Sequence, residues 1–162
     1  MKSLFALLAA MAFVLSACGA PTGGGSGSYR ISAGDTAKIQ YRTLDSINSA
    51  RTAAGLSSLQ LNAQLNAAAA THSRDMSAQN RPWHFGSDGS SPLDRVARVG
   101  YTGRMLGENI SETYESEVET LSAWMGQPDT RNVIMDPAAR DLGFSWYQEK
   151  NGKIWWTLIT GG

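Results

Sequence analysis

The sequence is poor in residues on which many exported and enzymatic proteins depend. It has one cysteine, Cys18, so no disulfide can form within the chain. Its 14 basic and 14 acidic residues balance, and no basic stripe is present, which excludes the usual electrostatic signature of a nucleic-acid-binding protein. The chain has two histidines, His72 and His84, so few imidazole groups are available for a metal or for acid–base chemistry.

Long hydrophobic runs are confined to the N-terminus, where residues 4–15 follow the basic Lys2. That run has the length of a secretory signal and is short for a membrane span. It ends in Leu-Ser-Ala-Cys, which resembles a bacterial lipobox, where cleavage before the cysteine is followed by lipidation of its thiol. We therefore expect a lipoprotein signal peptide over residues 1–17 and a lipid anchor on Cys18. An ordinary signal peptide with a chance cysteine is the alternative.

Residues 18–35 are predicted to carry this lipid and to join it to the folded part of the chain. The segment 19–28 is rich in glycine and serine and has no side chains that could build a core. Residues 36–162 are enough for one domain with one core. We expect an exported protein held at a membrane through Cys18, and the absence of Asp after Cys18 favours the outer membrane if the cell is Gram-negative.

The order of helical and extended patterns predicts an α+β fold. Asn62 and the pair Ser91-Pro92 are start signals for helices, and Gly55 and Gly100 are stop signals. Asn151-Gly152 lies between two runs of β-branched and aromatic residues, which is a strong signal for a hairpin. The predicted helices cover residues 36–54, 63–79, 92–99 and 114–125, and the predicted extended segments cover 105–111, 142–149 and 153–160. We expect an antiparallel sheet covered by helices.

Spacing within these elements also predicts which side chains lie inside. Val118, Leu121 and Met125 share one face of the fourth helix, and we expect that face to point into the core. Alternation along the last strand puts Trp155 and Trp156 on opposite faces of the sheet, with at least one of them in the core. A sugar-binding platform formed by the other is the alternative. His72 lies on the apolar stripe of the second helix, so we expect it to be packed and hydrogen-bonded.

Several motifs in a fixed order resemble the bacterial CAP, or SCP-like, domains. The matching segments are residues 46–76, which close on His-Ser-x-x-Met, then His84, DRVARVGY at 94–101, GENI at 107–110, AWM at 123–125, Pro128, Arg131 and IMDPAARDLGF at 134–144. The resemblance covers roughly residues 40–160. It implies a single CAP-like α-β-α sandwich, in which an antiparallel sheet is flanked by helices and no disulfide is needed.

The resemblance also implies a cleft that often carries two histidines and two glutamates. Carried over by position, the residues are His84, Glu108 in the GEN motif, and Glu119, which precedes the helix tryptophan by five positions. Thr130 stands where the second histidine is expected, and Asp129 stands where a glycine is expected. The resemblance therefore implies a ligand cleft formed by these five side chains, with an incomplete set of histidines.

Three interpretations of this cleft stay open. In the first, His84, Glu108 and Glu119 hold a metal, although the loss of one imidazole makes them weak candidates as zinc ligands or catalytic groups. In the second, the two glutamates hydrogen-bond the backbone and His84 and fix the shape of the cleft. In the third, the cleft binds a small ligand without a metal. Beyond a weakly bound divalent metal, no cofactor is expected. Asp129 has a further interpretation as a helix N-cap worth about 1 kcal/mol.

The preferred hypothesis for function is a non-catalytic, envelope-anchored protein that binds a lipid, glycan or protein ligand. Binding of small hydrophobic molecules is what the resemblance implies. One alternative is a metal-assisted hydrolase that acts on peptides or the cell wall through His84, Glu108 and Glu119. Another is a structural or stress-protective surface protein. An enzyme is the less favoured alternative, because Thr130 replaces the second histidine and no serine lies in a nucleophile-elbow motif.

Overall fold

The computed structural model describes residues 29–162. The signal peptide and the lipidation predicted at Cys18 lie outside the described residues. The described part has a 3₁₀ turn at Ala33–Asp35, and its helices are α1 (Thr36–Ala53), α2 (Ala63–Gln79), α3 (Pro92–Arg98), α4 (Glu117–Gly126) and α5 (Pro128–Ile134). Its strands are β1 (Gln60–Leu61), β2 (Met105–Ser111), β3 (Asp141–Gln148) and β4 (Ile154–Gly161).

The four strands form one open sheet in the order β1-β3-β4-β2. β4 pairs antiparallel with both of its neighbours, and β3 and β4 form the hairpin predicted from Asn151-Gly152. Gly152 has a φ of 102°, which a residue with a side chain adopts only with strain. β1 was not predicted, and it pairs parallel with β3, so the sheet is mixed at that edge. The α+β class is confirmed.

Helices cover both faces of the sheet, so the domain has three layers. One face of β3 and β4 packs against α1, α4 and α5 in a core that includes Ile47, Trp124 and Trp156. The other face packs against α2 and α3 through Leu65, Val96 and other side chains. Trp155 and Trp156 are both fully buried, so neither forms an exposed platform for a sugar.

Helix starts follow the predicted caps at two places and depart from them at two others. Asn62 caps α2 by accepting from the amides of Gln64 and Leu65 at 3.0 and 3.1 Å. Ser91 and Asp94 form a capping box at α3. The start expected at residue 114 was wrong, because Ser116 caps α4 and the helix begins at Glu117. The N-cap expected at Asp129 was also wrong. Gln127 occupies that position, and Asp129 lies in the first turn of α5.

Arg51 joins the end of α1 to the segment that leads into β3. Its side chain is fully buried, and burial lowers the pKa of its guanidinium group. The guanidinium donates to four backbone carbonyls, those of Ser57, Ile134, Asp136 and Ala139. All of its recorded hydrogen bonds therefore go to main-chain oxygens, and the residue fixes the path of two connections at once.

Candidate functional site

His84 and Glu108, which the sequence proposed as partners in a cleft, are in direct contact. His84 lies in the loop between α2 and α3, and Glu108 lies in β2 opposite Ile159 of β4. The Nδ1 atom of His84 is 2.9 Å from Oε1 of Glu108. The Glu108 side chain is 2% exposed and the His84 side chain is 50% exposed, so the pair runs from the interior to the surface.

A third residue, Arg95 of α3, completes this contact and was not singled out from the sequence. One guanidinium nitrogen donates to both oxygens of Glu108, at 3.0 and 2.8 Å. Another donates to the backbone carbonyl of His84 at 2.9 Å. Arg95 therefore neutralises the buried carboxylate and also holds the loop that carries His84. Arg95 belongs to the segment 94–101 that carries the family resemblance, but its pairing with Glu108 follows from the packing of α3 against β2 and not from the sequence.

The second histidine lies behind this group. His72 is fully buried, and its Nε2–H donates to the Trp83 carbonyl at 2.9 Å. This confirms the prediction of a packed, hydrogen-bonded histidine. Nε2 is also 3.8 Å from Glu108, while Nδ1 has no partner among the described residues. Burial lowers the pKa of His72 more strongly than Glu108 raises it, so the imidazole is held neutral.

The other three predicted cleft residues have different partners. Glu119 is exposed on α4, and its carboxylate accepts from the Glu115 amide at 3.2 Å. The Thr130 hydroxyl donates to the Trp124 carbonyl at 2.7 Å, and Asp129 is exposed on α5. Within residues 29–162, no recorded hydrogen bond joins any of these three to His84 or Glu108.

A groove of about 310 Å³ is lined by Thr130 but by neither His84 nor Glu108. Its walls come from the loop after α2, the end of β2, and helices α4 and α5. Trp124 of α4 and Thr130 of α5 line one wall, and Pro82 of the loop and Ile110 of β2 also line the groove. Thr130 therefore lines a groove, but the other four residues of the cleft implied by the resemblance do not, and its hydroxyl is bonded to the backbone.

These side chains do not fit a metal site. Within the part of the chain that the structure describes, no group of three or more His, Cys, Asp or Glu residues is placed to hold a metal ion. The carboxylate of Glu108 is already occupied by Arg95 and His84. His84 therefore offers one unbonded ring nitrogen and no neighbouring carboxylate oxygen free of other partners.

A second groove, of about 190 Å³, separates α1 from α4 and was not predicted. Its apolar wall is formed by Val118, Leu121 and Met125. Val118 was expected in the core, but its side chain is 59% exposed, because α4 leaves this groove open against α1. The opposite wall carries Thr43, which is 2% exposed and whose hydroxyl has no hydrogen-bond partner among the described residues.

Charged groups close one end of this α1–α4 groove. Glu117 is 2% exposed, forms an ion pair with Arg42, and accepts a hydrogen bond from the Tyr29 hydroxyl at 3.0 Å. Burial, followed by the contact with Glu117, raises the pKa of Tyr29. The buried carboxylate is therefore compensated, whereas Arg42 is 47% exposed at the mouth of the groove.

The arrangement of the domain matches a known family. The sequence profile of the cysteine-rich secretory protein family, abbreviated CAP, matches residues 44–159, which is more than two thirds of the chain. The chain belongs to the CAP family. This confirms the resemblance drawn from the motifs. YkwD, an uncharacterised protein of Bacillus subtilis, is 28% identical to this chain over 122 residues. Those residues cover 75% of this chain and 47% of YkwD, so the chain spans about half of that relative.

Solved structures of low sequence identity share the CAP fold. An outer surface protein from Borrelia burgdorferi superposes with a TM-score of 0.72 at 15% identity, over 78% of this chain and 94% of that protein. An extracellular SCP-domain protein from Bacillus anthracis gives 0.68 at 21% identity, over 82% of this chain and 44% of that protein. Within residues 29–162, no helix has the length and apolarity that crossing a bilayer requires.

Proposed function

We propose that this chain is an exported CAP-domain lipoprotein that binds a small amphiphilic ligand, without catalysis, in the groove between α1 and α4. The observation that supports the proposal is the combination of an apolar wall, formed by Val118, Leu121 and Met125, with the half-exposed guanidinium of Arg42.

The chemistry of the lining defines the class of ligand. Val118, Leu121 and Met125 favour an alkyl or other apolar chain, and methionine adapts to chains of different shape. Arg42, at the mouth, favours a carboxylate or another small anionic or acceptor head group. A single-chain amphiphile, such as a fatty acid, fits both requirements.

Export and anchoring are supported by the sequence and by the relatives. The first 18 residues combine a basic start, an apolar run and a lipobox-like end. The names of two structural relatives describe an outer surface protein and an extracellular protein. A lipid on Cys18 would hold the CAP domain at the envelope, where amphiphiles are abundant. If the cell is Gram-negative, the outer membrane is the proposed site.

The His84–Glu108 group supports a non-catalytic role in this proposal. Glu108 is bound by Arg95 at both oxygens, so it is poorly placed to activate a water molecule as a general base. We assign the group to holding the loop of residues 80–87 against β2 and α3.

The test combines recovery of a natural ligand with a titration. The mature chain is purified, and bound lipids are extracted and identified by mass spectrometry. The delipidated chain is then titrated with a fluorescent fatty acid. Ser46→Trp fills the α1–α4 groove from α1, and Ser49→Trp places the same bulk on an exposed position of the same helix outside it. We expect Ser46→Trp to weaken binding at least tenfold and Ser49→Trp to leave it unchanged, where tenfold corresponds to about 1.4 kcal/mol. Equal affinities of the two variants, or no binding by the native chain, would refute the proposal.

A further inference from the structure

The first described residues, 29–31, are bonded to the β3–β4 hairpin; we refer to them as the N-terminal arm. The amide of Ile31 donates to the side chain of Gln148 at 3.0 Å, and that side chain donates to the Tyr29 carbonyl at 2.6 Å. Arg30 donates to the carbonyls of Glu149 and Lys150 at 3.2 and 2.6 Å. The chain that leads from Cys18 therefore meets the domain beside the hairpin turn.

Basic side chains surround this turn. Arg30, Arg81 and Lys150 are exposed, and within residues 29–162 none of them takes part in an ion pair. Lys153 is nearby, with its ammonium 3.5 Å from Asn80, which brings Arg81 to the same end of the domain. We call Arg30, Arg81, Lys150 and Lys153 the tip face.

Acidic groups offset only part of this charge. Glu112 pairs with Lys153. Glu149 accepts hydrogen bonds from Ser77, Trp155 and Asn151, and these contacts hold its pKa below the usual range. Glu115 lines the same pocket as Asn151 and Lys153. The tip face therefore has three carboxylates against four cations, and three of the cations have no ion-pair partner among the described residues.

We propose that the tip face lies against anionic phospholipid head groups of the membrane that carries the anchor. The proposal rests on the proposed anchor at Cys18. The eleven residues from Cys18 to Ser28 reach at most about 40 Å when fully extended. Because the N-terminal arm is bonded to the hairpin turn, the tip face is the part of the domain nearest to residue 29, where the segment from Cys18 joins the domain. The opposite end of the sheet, at Arg104, lies a whole strand further away, about 25 Å.

The attraction depends on closeness to the surface. Each Lys or Arg close to an anionic leaflet increases the population of the membrane-bound orientation by about five-fold. This gain falls off within a Debye length of about 8 Å at physiological salt. An anchored domain samples this distance continually, so three or four cations are enough to set its orientation, although they would bind a free protein weakly.

The test compares the reactivity of two lysines. The unacylated mature chain is coupled through the thiol of Cys18, its only cysteine, to maleimide lipid in phosphatidylcholine vesicles with or without phosphatidylglycerol. This coupling makes the result independent of whether cells acylate Cys18. A water-soluble amine reagent is added, and mass spectrometry follows Lys150 and the lysine introduced by Arg104→Lys at the opposite end of the sheet.

We expect phosphatidylglycerol to slow the modification of Lys150 by about five-fold and to leave the introduced lysine unchanged. High salt should remove the protection of Lys150 by phosphatidylglycerol. Charge reversal by Arg30→Glu or Arg81→Glu should reduce it. Arg81 stacks on Trp83 and makes no recorded bond to the arm, so its variant leaves the arm in place. Equal rates at the two lysines, or protection of Lys150 that is the same without phosphatidylglycerol, would overturn the proposal.

Discussion

Arg95 and Glu108 form a buried ion pair in which one guanidinium nitrogen reaches both carboxylate oxygens, the shorter distance being 2.8 Å. Their side chains are 4% and 2% exposed. An ion pair this deep adds little net stability over an apolar pair, but it is costly to break. The contact links α3, β2 and the loop of His84, so three segments that are separate in the sequence are held together by one side chain.

Removal of one partner tests this relationship. Arg95→Met should lower the free energy of unfolding by about 3–5 kcal/mol, because Glu108 would stay buried without its cation. Urea denaturation of the mature chain measures the loss. Arg98→Met, on the same helix, is the matched control, because its pair with Asp88 is more than half exposed and should be worth less than about 1 kcal/mol. Similar losses in the two variants would contradict the assignment.

Arg51 should be intolerant even of a conservative change. A lysine has one ammonium group and cannot reach the four carbonyls that the guanidinium binds, so Arg51→Lys should cost about 3 kcal/mol. Differential scanning calorimetry reports the change in the unfolding temperature. Arg140→Lys serves as the control, because Arg140 is exposed and binds only two nearby carbonyls. If both variants melt alike, Arg51 does not fix the connections.

His72 should make the stability depend on pH. Its pKa is lowered by burial, so between the lowered value and the unfolded value of about 6.5 the unfolded chain binds more protons than the folded chain. Burial of the neutral imidazole therefore carries no penalty above about pH 6.5. As the pH falls from there towards the folded pKa, the free energy of unfolding decreases by up to about 1.4 kcal/mol per pH unit. Urea midpoints measured down to about pH 5 should fall more steeply for the native chain than for His72→Gln.

Zinc should not bind tightly through His84. Glu108 is occupied by Arg95, and Thr130 bonds the backbone, so His84 has no second ligand beside it. Calorimetric titration of zinc into the native chain and into His84→Ala should therefore give the same heats. Micromolar binding that His84→Ala abolishes would revive the metal-assisted hydrolase hypothesis, and peptide and cell-wall substrates would then be assayed.

Local signals predicted much of the fold, and long-range contacts account for what they missed. Asn62 and Asn151-Gly152 act within a few residues, so the sequence places the start of α2 and the hairpin correctly. β1 has two residues and exists because Gln60 and Asn62 donate to backbone carbonyls of residues 140 and 142. No pattern of two residues predicts such a strand.

The candidate site follows the same division. The pairing of His84 with Glu108 could be proposed from motif positions, whereas Arg95 as their partner depends on how α3 packs over β2. The α1–α4 groove was missed because helical periodicity marks Val118 as apolar and cannot show that the neighbouring helix leaves it uncovered.

The bonds between the N-terminal arm and Gln148 determine how the domain would carry mechanical load. A pull from an anchored N-terminus would first reach β3 through Gln148 and the carbonyls beside it, before it reached α1. β3 is paired with β4 over its whole length, so the force would be shared by a long ladder instead of unwinding α1 turn by turn. A domain loaded in this way would resist a pull on its N-terminus better than one suspended from the end of a helix.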